Sequence, residues 1–335
     1  MAIINIPFGR QGRPLPLRLK LKPPINIGYM FKAARDAGEK IYIVLPGGGA
    51  KGRWQFAVLY YLWQAGALDY CAGACGTSVG GLNALMWGRF YKEPERALKL
   101  WEEITCNEDV YRGKLGGAFD IAWQTMINNK GVSILRPDGL YKILEDNFGG
   151  YYLKDFIPDI VLTAADISKN ESDVYDRDAC DIPCDNLGKR TSALPLIFPA
   201  IEGNNRGHLH VDGGFGNNNP VMTAINRGAT KIIIIGTAPI VKVDAEINNK
   251  AFDIAPHLIN YALDNFEQSM WAEVYQYEQR AKTDKSIPTV EFLKLYPDKN
   301  TGDVVNFGNR EQLQLGYDYA YNTITPARVL DFLEC

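Results

Sequence analysis

A three-layer α/β/α domain around a mostly parallel central sheet is the fold this chain predicts, and three observations point to it. Ile41–Leu45 is a short apolar, β-branched run that ends in Pro46 and Gly47-Gly48-Gly49, and helical apolar spacing takes over after Gly52. Cys71–Cys75 is a second short apolar run, followed by Gly76-Thr77-Ser78-Val79-Gly80 and another apolar helix pattern. Further on, Lys231–Gly236 (KIIIIG) reads as a strand buried on both faces. Strand, glycine loop and helix, twice in succession, is the signature of parallel strands joined by crossover helices.

The first helix follows from Phe56, Leu59, Tyr60 and Trp63, which fall at i, i+3, i+4 and i+7 and stop before Gly66. The second carries Leu82, Leu85, Met86 and Phe90. Ile160–Ala165 and His208–Val211 read as strands, and Thr289–Tyr296 as another. Pro256–Ala281 and Glu311–Leu333 read as two long helices. Residues 110–136, rich in Gly, Asn and aromatics with weak periodicity, read as a surface loop or lid that could offer an apolar contact.

Residues 1–35 hold seven Lys and Arg with no Asp or Glu, and Pro7, Pro14, Pro16, Pro23 and Pro24 keep much of this stretch extended. The chain thus divides into a basic arm over 1–35 and one catalytic-sized domain over 36–335. That domain has a core at about 40–240 and a helical part at about 250–335.

With 46% hydrophobic residues in 335, the chain can bury a core large enough to exclude disorder as its main state. A net charge of −3 excludes a protein built to coat a nucleic-acid polymer. No run approaches the roughly 20 apolar residues of a membrane span, and the first residues lack a secretory signal's apolar core. A cytoplasmic protein is the expectation. Its six cysteines form no C-x-x-C pair and have no metal-spaced histidines nearby, so they read as thiols in a reducing compartment, with no metal expected.

Two glycine loops carry the chemistry. Gly76–Gly80 is G-x-S-x-G between a strand and a helix, the setting in which flanking glycines let Ser78 point out of a sharp turn as a nucleophile. The alternative is a tight turn in which Ser78 only caps the helix. Gly47–Gly52 literally matches G-x-G-x-x-G, and Asp69 lies 20 residues after Gly49 as a dinucleotide site would want. However, Asp69 precedes the next strand, whereas a ribose-binding acid belongs at a strand's exit. Consecutive glycines that expose backbone N–H groups to an oxyanion are the better reading.

A nucleophilic Ser needs a base, and Asp212-Gly213-Gly214 ends the short strand that carries His208 and His210. The two histidines share a strand face, with no third metal ligand evident beside them. Ser78, Asp212 and His257 also satisfy the chain order of a Ser-Asp-His triad, which keeps an α/β-hydrolase reading open. A catalytically inactive lipid-binding module is the third reading.

Taken together, Gly47–Gly52, Gly76–Gly80 and Asp212–Gly214 resemble the patatin-like phospholipases. So do Thr191-Ser192-Ala193 leading to Phe198-Pro199, and Asn218-Asn219-Pro220. The resemblance runs in order from about residue 40 to about 240. It implies a cofactor-independent Ser-Asp dyad that cleaves fatty-acyl esters of membrane phospholipids. Ser78 would be the nucleophile, Asp212 the base, and Gly47, Gly48 and Gly49 the oxyanion loop. Lys51, Gly52, Gly76, Gly80, Gly213 and Gly214 would be supporting motif residues. Peripheral membrane contact follows from such a substrate, and the basic arm is compatible with a small-molecule activator or a homo-oligomeric contact.

Overall fold

The computed structural model describes residues 19–113, 133, 135–178, 181–195, 197–203, 207–239 and 251–334, leaving aside the side chains of 251–260, 262–264, 266 and 267. Helix α1 (Gly28–Asp36) precedes β1 (Ile41–Leu45), α2 (Gly52–Gln64), β2 (Gly73–Thr77), α3 (Val79–Arg89) and α4 (Pro94–Glu103). Then come α5 (Asp138–Phe148), β3 (Asp159–Asp166), β4 (Glu171–Tyr175), α6 (Cys184–Thr191), β5 (Ile201–Glu202) and β6 (Leu209–Asp212). The short α7 (Gly214–Asn217) and α8 (Val221–Asn226) lead to β7 (Lys231–Ile235), α9 (Ala251–Thr283), β8 (Glu291–Leu295), α10 (Glu311–Thr323) and α11 (Pro326–Glu334).

The strands form one sheet in the order β5-β6-β3-β2-β1-β7-β8, with β4 also paired to β3. The pairings β3-β2, β2-β1, β1-β7 and β7-β8 are parallel, while β4, β5 and β6 run antiparallel to their neighbours. The expected mixed α/β fold with a mostly parallel sheet is what forms. Every residue of β1, β2 and β7 is buried, as strands covered on both faces require. One layer above the sheet packs α2, α3 and α10, where Trp54, Tyr60, Tyr61, Tyr317 and Tyr319 interlock. Met270, Val274 and Tyr277 of α9 cover the opposite face with Val221 and Ile225 of α8.

Strand β3 acts as a ruler. Its residues through Thr163 pair with β2, Thr163 lying opposite Thr77, and its next residue Ala164 lies opposite Asp212 of β6. Since β4 pairs with residues 162–166 as well, it must lie on the other edge, so β6 takes over the edge that β2 vacates. Ser78, the residue after Thr77, and Asp212 are thereby brought to consecutive rungs of one edge.

Several expectations need correction. The stretch 1–35 is not an extended arm throughout, because Gly28–Asp36 is a helix whose Phe31, like Ile27 before it, is fully buried. Residues 1–18 lie outside the described residues. The strand expected at Cys71–Cys75 begins two residues later, because Leu68–Tyr70 form a helical turn and Ala72 donates to the Ile41 carbonyl first. The helix expected over Glu311–Leu333 is two helices, since Pro326 cannot continue one and biases Thr325 away from helical geometry. The lid expected over 110–136 falls mostly on residues outside the described ones; Arg112 and Arg136 pair as an isolated antiparallel bridge at its base. No helix among the described residues is long and apolar enough to cross a membrane.

Candidate active site

Ser78 sits between β2 and α3 with φ 54° and ψ −130°, a backbone region that costs a non-glycine residue about 1–3 kcal/mol. Gly80 lets this turn close: a Cβ there would lie 2.0 Å from the Leu45 carbonyl oxygen. The Ser78 hydroxyl donates to Asp212 Oδ2 at 2.6 Å, and the N–H of Gly214 donates to Asp212 Oδ1 at 2.8 Å. Both residues are nearly sealed from water, Ser78 at 9% exposure and Asp212 at 2%. The direct bond leaves no place for an imidazole between them. His257 lies on α9, where its side chain is outside the described residues.

Burial pushes the Asp212 carboxyl up to about 7, against the Ser78 hydroxyl and the Gly214 N–H, which both favour its charged form. The linkage has a definite sign. Below pH 4 the carboxyl is neutral in both folded and unfolded chains. As pH rises toward 7 only the unfolded carboxyl ionises, so stability is lost, and the full cost is present above pH 7. Asp212→Asn is therefore expected to raise Tm at pH 8 and to leave it nearly unchanged at pH 4. Thermal melts at the two pH values check this, and an equal or lower Tm at pH 8 would contradict the buried charge.

The Gly47–Gly52 loop passes beside Ser78, where a Cβ on Gly47 would lie 3.0 Å from the Ser78 Cβ, and several bonds hold it. Gly47 N–H donates to the Asn218 carbonyl, Thr237 Oγ1 donates to the Gly47 carbonyl at 2.9 Å, and Ala50 N–H donates to the Val304 carbonyl at 2.7 Å. From beneath, Gln55 Nε2 donates to the carbonyls of Pro46 and Ile235. Its Oε1 accepts from Asn83, which in turn accepts from the Trp101 indole. Gly49 has φ +55°, and a Cβ on Gly48 would lie 2.3 Å from Thr237 Oγ1. Lys51 and Gly52 open α2 and are buried, and a Cβ on Gly52 would collide with Val79. Gly76 packs its Cα against the Gly80 backbone, Gly213 packs against Thr163, and Gly214 opens α7.

An apolar pocket reaches Ser78, Asp212 and Gly47–Gly49. One wall follows α3 from Ser78 through Leu82 to Met86, about 12 Å of helix axis at 1.5 Å per residue. Leu144 and Phe148 of α5, Trp101 of α4, and Val304, Val305 and Phe307 line the pocket as well. Among the described residues the polar side chains that line it are Ser78, Ser192, Asp212 and Asn218, and Asn218 Oδ1 is buried with no partner among them. A cleft lined in this way suits an apolar ligand that carries its polar group at the Ser78 end.

His208 and His210 share a face as expected, but two acids accompany them. His208 Nδ1 lies 2.8 Å from Asp166 Oδ2 and His210 Nε2 lies 2.9 Å from Asp173 Oδ2. Burial disfavours charge on Asp166, yet the hydrogen bonds from His208 and from the Ser168 and Lys169 N–H groups outweigh it and hold the carboxyl at about 2. The ligand atoms of Asp166, Asp173 and His210 lie within 4.8 Å of one another. The two pairs tie β3 and β4 to the strand end that carries His208 and His210, and among the described residues His210 Nδ1 is buried with no partner. Cys71, Cys75, Cys106 and Cys184 carry thiols rather than disulfides, and burial pushes the thiols of Cys71 and Cys75 far up.

Sequence reasoning missed Gln55, Thr237 and Val304–Phe307. Gln55 did leave a signal, as an uncharged polar residue in the otherwise apolar run from Trp54 to Trp63. The Val304 contribution left none, because it lies more than 250 residues from the loop that it holds.

The family model for patatin-like phospholipases matches residues 43–225. Lysophospholipase NTE1 of Kluyveromyces lactis is 22% identical over 332 residues, covering 92% of this chain and 21% of that protein. Lysophospholipase NTE1 of Candida glabrata is 25% identical over 207 residues, 59% of this chain and 10% of that protein. The chain thus spans about a fifth or less of these curated relatives. Among solved structures, human GIVD cytosolic phospholipase A2 has a similar fold, with a TM-score of 0.52 at 10% identity over 92% of this chain and 63% of that one.

Proposed function

Because this chain belongs to the patatin-like phospholipase family, we propose that it hydrolyses fatty-acyl esters of membrane phospholipids through a Ser78–Asp212 dyad. The observation that carries the reading is the 2.6 Å hydrogen bond from the Ser78 hydroxyl to a carboxylate sealed beside an apolar pocket.

The acyl chain lies along α3 and brings its ester carbonyl to Ser78. As Ser78 Oγ attacks, its proton passes to Asp212 Oδ2. An ordinary carboxylate is too weak a base for this, but one raised toward neutral pH by desolvation is better matched to the task. The Gly48 and Gly49 N–H groups, with the N-terminus of α3, meet the developing oxyanion. Protonated Asp212 then gives its proton to the departing alcohol oxygen, leaving an acyl group on Ser78. Water attacks that ester with Asp212 again accepting a proton, and the fatty acid leaves as the proton returns to Ser78.

The names of the curated relatives favour a lysophospholipid, whose single acyl chain suits a single channel. A substrate drawn from a bilayer also calls for peripheral membrane contact, for which the basic residues before Ile27 are the candidates. Mass spectrometry on a diacyl phospholipid with distinguishable sn-1 and sn-2 chains, beside its lyso form, tests the substrate. Release of fatty acid from neither would overturn the reading. Activity should also track Asp212 ionisation: kcat/KM is expected to fall below an apparent pKa near 7, the value burial sets for that carboxyl. A profile flat from pH 5 to 9 would remove Asp212 as the base.

A further inference from the structure

The C-terminal end of α6 touches both members of the dyad. Ser78 N–H donates to Thr191 Oγ1 at 2.8 Å. Asp212 N–H donates to the Ala193 carbonyl at 2.9 Å, and Gly213 N–H donates to the Thr191 carbonyl at 3.3 Å. Two residues of one segment, through three hydrogen bonds, therefore hold together Ser78 and Asp212, which are 134 positions apart in the chain.

This segment is itself stiff. Ser192 Oγ donates to the Gly188 carbonyl at 2.6 Å, and Arg190, only 2% exposed, reaches Asn186 Oδ1 and the Tyr175 hydroxyl. Thr191 is fully buried, and its Cγ2 faces Gly81 in the first turn of α3. The Ser78 turn has a backbone conformation that surrounding structure must impose. Its N–H is also a buried donor that needs an acceptor. Thr191 Oγ1 meets both needs, and by occupying the Ser78 N–H it leaves the oxyanion to other donors.

We propose that Thr191 is the positioning residue of this site, its hydroxyl oxygen holding the Ser78 turn so that the nucleophile stays aligned with Asp212. The proposal rests on the hydrolase reading above but makes its own prediction about Ser78. A bracket of this kind acts on alignment rather than on substrate binding, so it affects kcat and leaves KM alone. It needs the oxygen and not the methyl, so Ser can replace Thr while the isosteric Val cannot.

The experiment compares wild type, Thr191→Val and Thr191→Ser in hydrolysis of a soluble p-nitrophenyl ester, in covalent labelling of Ser78 by an alkyl fluorophosphonate, and in hydrogen exchange of the Ser78 amide. Thr191→Val is expected to lower kcat and the labelling rate together by about 10- to 100-fold at unchanged KM, since small displacements of a reacting group cost that much. Its Ser78 amide should exchange faster. Thr191→Ser should stay within about threefold of wild type in kcat and labelling, even where both variants lose a similar amount of Tm. Wild-type kcat in Thr191→Val, or equal losses in Val and Ser, would overturn the positioning role and reduce Thr191 to a packing residue. A wild-type protein that neither hydrolyses nor labels would sink the hydrolase reading instead. In that case the exchange rate of the Ser78 amide still decides whether Thr191 holds the turn.

Discussion

Ser78→Ala and Asp212→Asn are each expected to lower kcat by about 10⁴-fold or more, and the double variant to be no worse than either one. On the proposed mechanism both residues act in one proton-transfer step: without Oγ there is nothing to deprotonate, and without the carboxylate nothing takes the proton. The fold is expected to survive both changes. Ser78 supplies one hydroxyl to the Asp212 carboxylate, and an amide in place of that carboxylate removes a buried charge. Turnover of a soluble ester, read beside the melting curve, measures the effect. An Asp212→Asn enzyme that kept most of its kcat would remove Asp212 from the mechanism. Additive losses in the double variant would mean that the two act in separate steps. The histidines provide the contrast: His257→Ala is expected to keep appreciable activity, and its collapse with folding intact would restore the triad.

The second large effect belongs to the glycine loop. Gly48→Ala is expected to cost about 10²–10³ in kcat, the usual consequence of losing an oxyanion donor. The added Cβ would lie 2.3 Å from Thr237 Oγ1, so either the loop or Thr237 has to move. Moving the loop misplaces the Gly48 and Gly49 N–H groups. Moving Thr237 frees the Gly47 carbonyl, which costs about 0.5–1.5 kcal/mol of stability for one hydrogen bond. Thr237→Ala separates the two effects, because it frees the same carbonyl without pushing the loop. It should lose a comparable amount of Tm while keeping kcat within about tenfold. Gly48→Ala with wild-type turnover would show that these N–H groups do not serve the oxyanion.

The catalytic core was legible because its signals are local. A strand ending in glycines and feeding a helix can be read within a dozen residues, and both glycine loops stand where that pattern puts them. Ser78 and Asp212 could be nominated in this way, but their juxtaposition could not. It depends on β6 taking the β3 edge that β2 leaves free, a register relation between segments 134 residues apart. The same limit hid Thr237, Val304 and the partners of His208 and His210, whose contacts all cross between distant strands and loops. Composition misled at the other end. A basic, proline-rich stretch looked extended to residue 35, yet Phe31 and Ile27 had enough apolar surface to draw Gly28–Asp36 down as a helix.

The loop at Val304–Phe307 lies well beyond the segment that matches the family model, yet it does two jobs at once. Its Val304 carbonyl fixes Ala50 in the glycine turn, while Val305 and Phe307 line the apolar pocket. On the proposed mechanism the glycine turn serves the oxyanion and the pocket takes the acyl chain, so shape selection and rate are mechanically geared to each other. A substitution that widens the channel there also slackens the turn, so a gain in tolerance for bulkier chains is expected to come with slower turnover on the original one. Divergence among relatives would meet the same gearing: a C-terminal part exchanged from another member brings its own channel wall and its own grip on the glycine turn, and the two travel together.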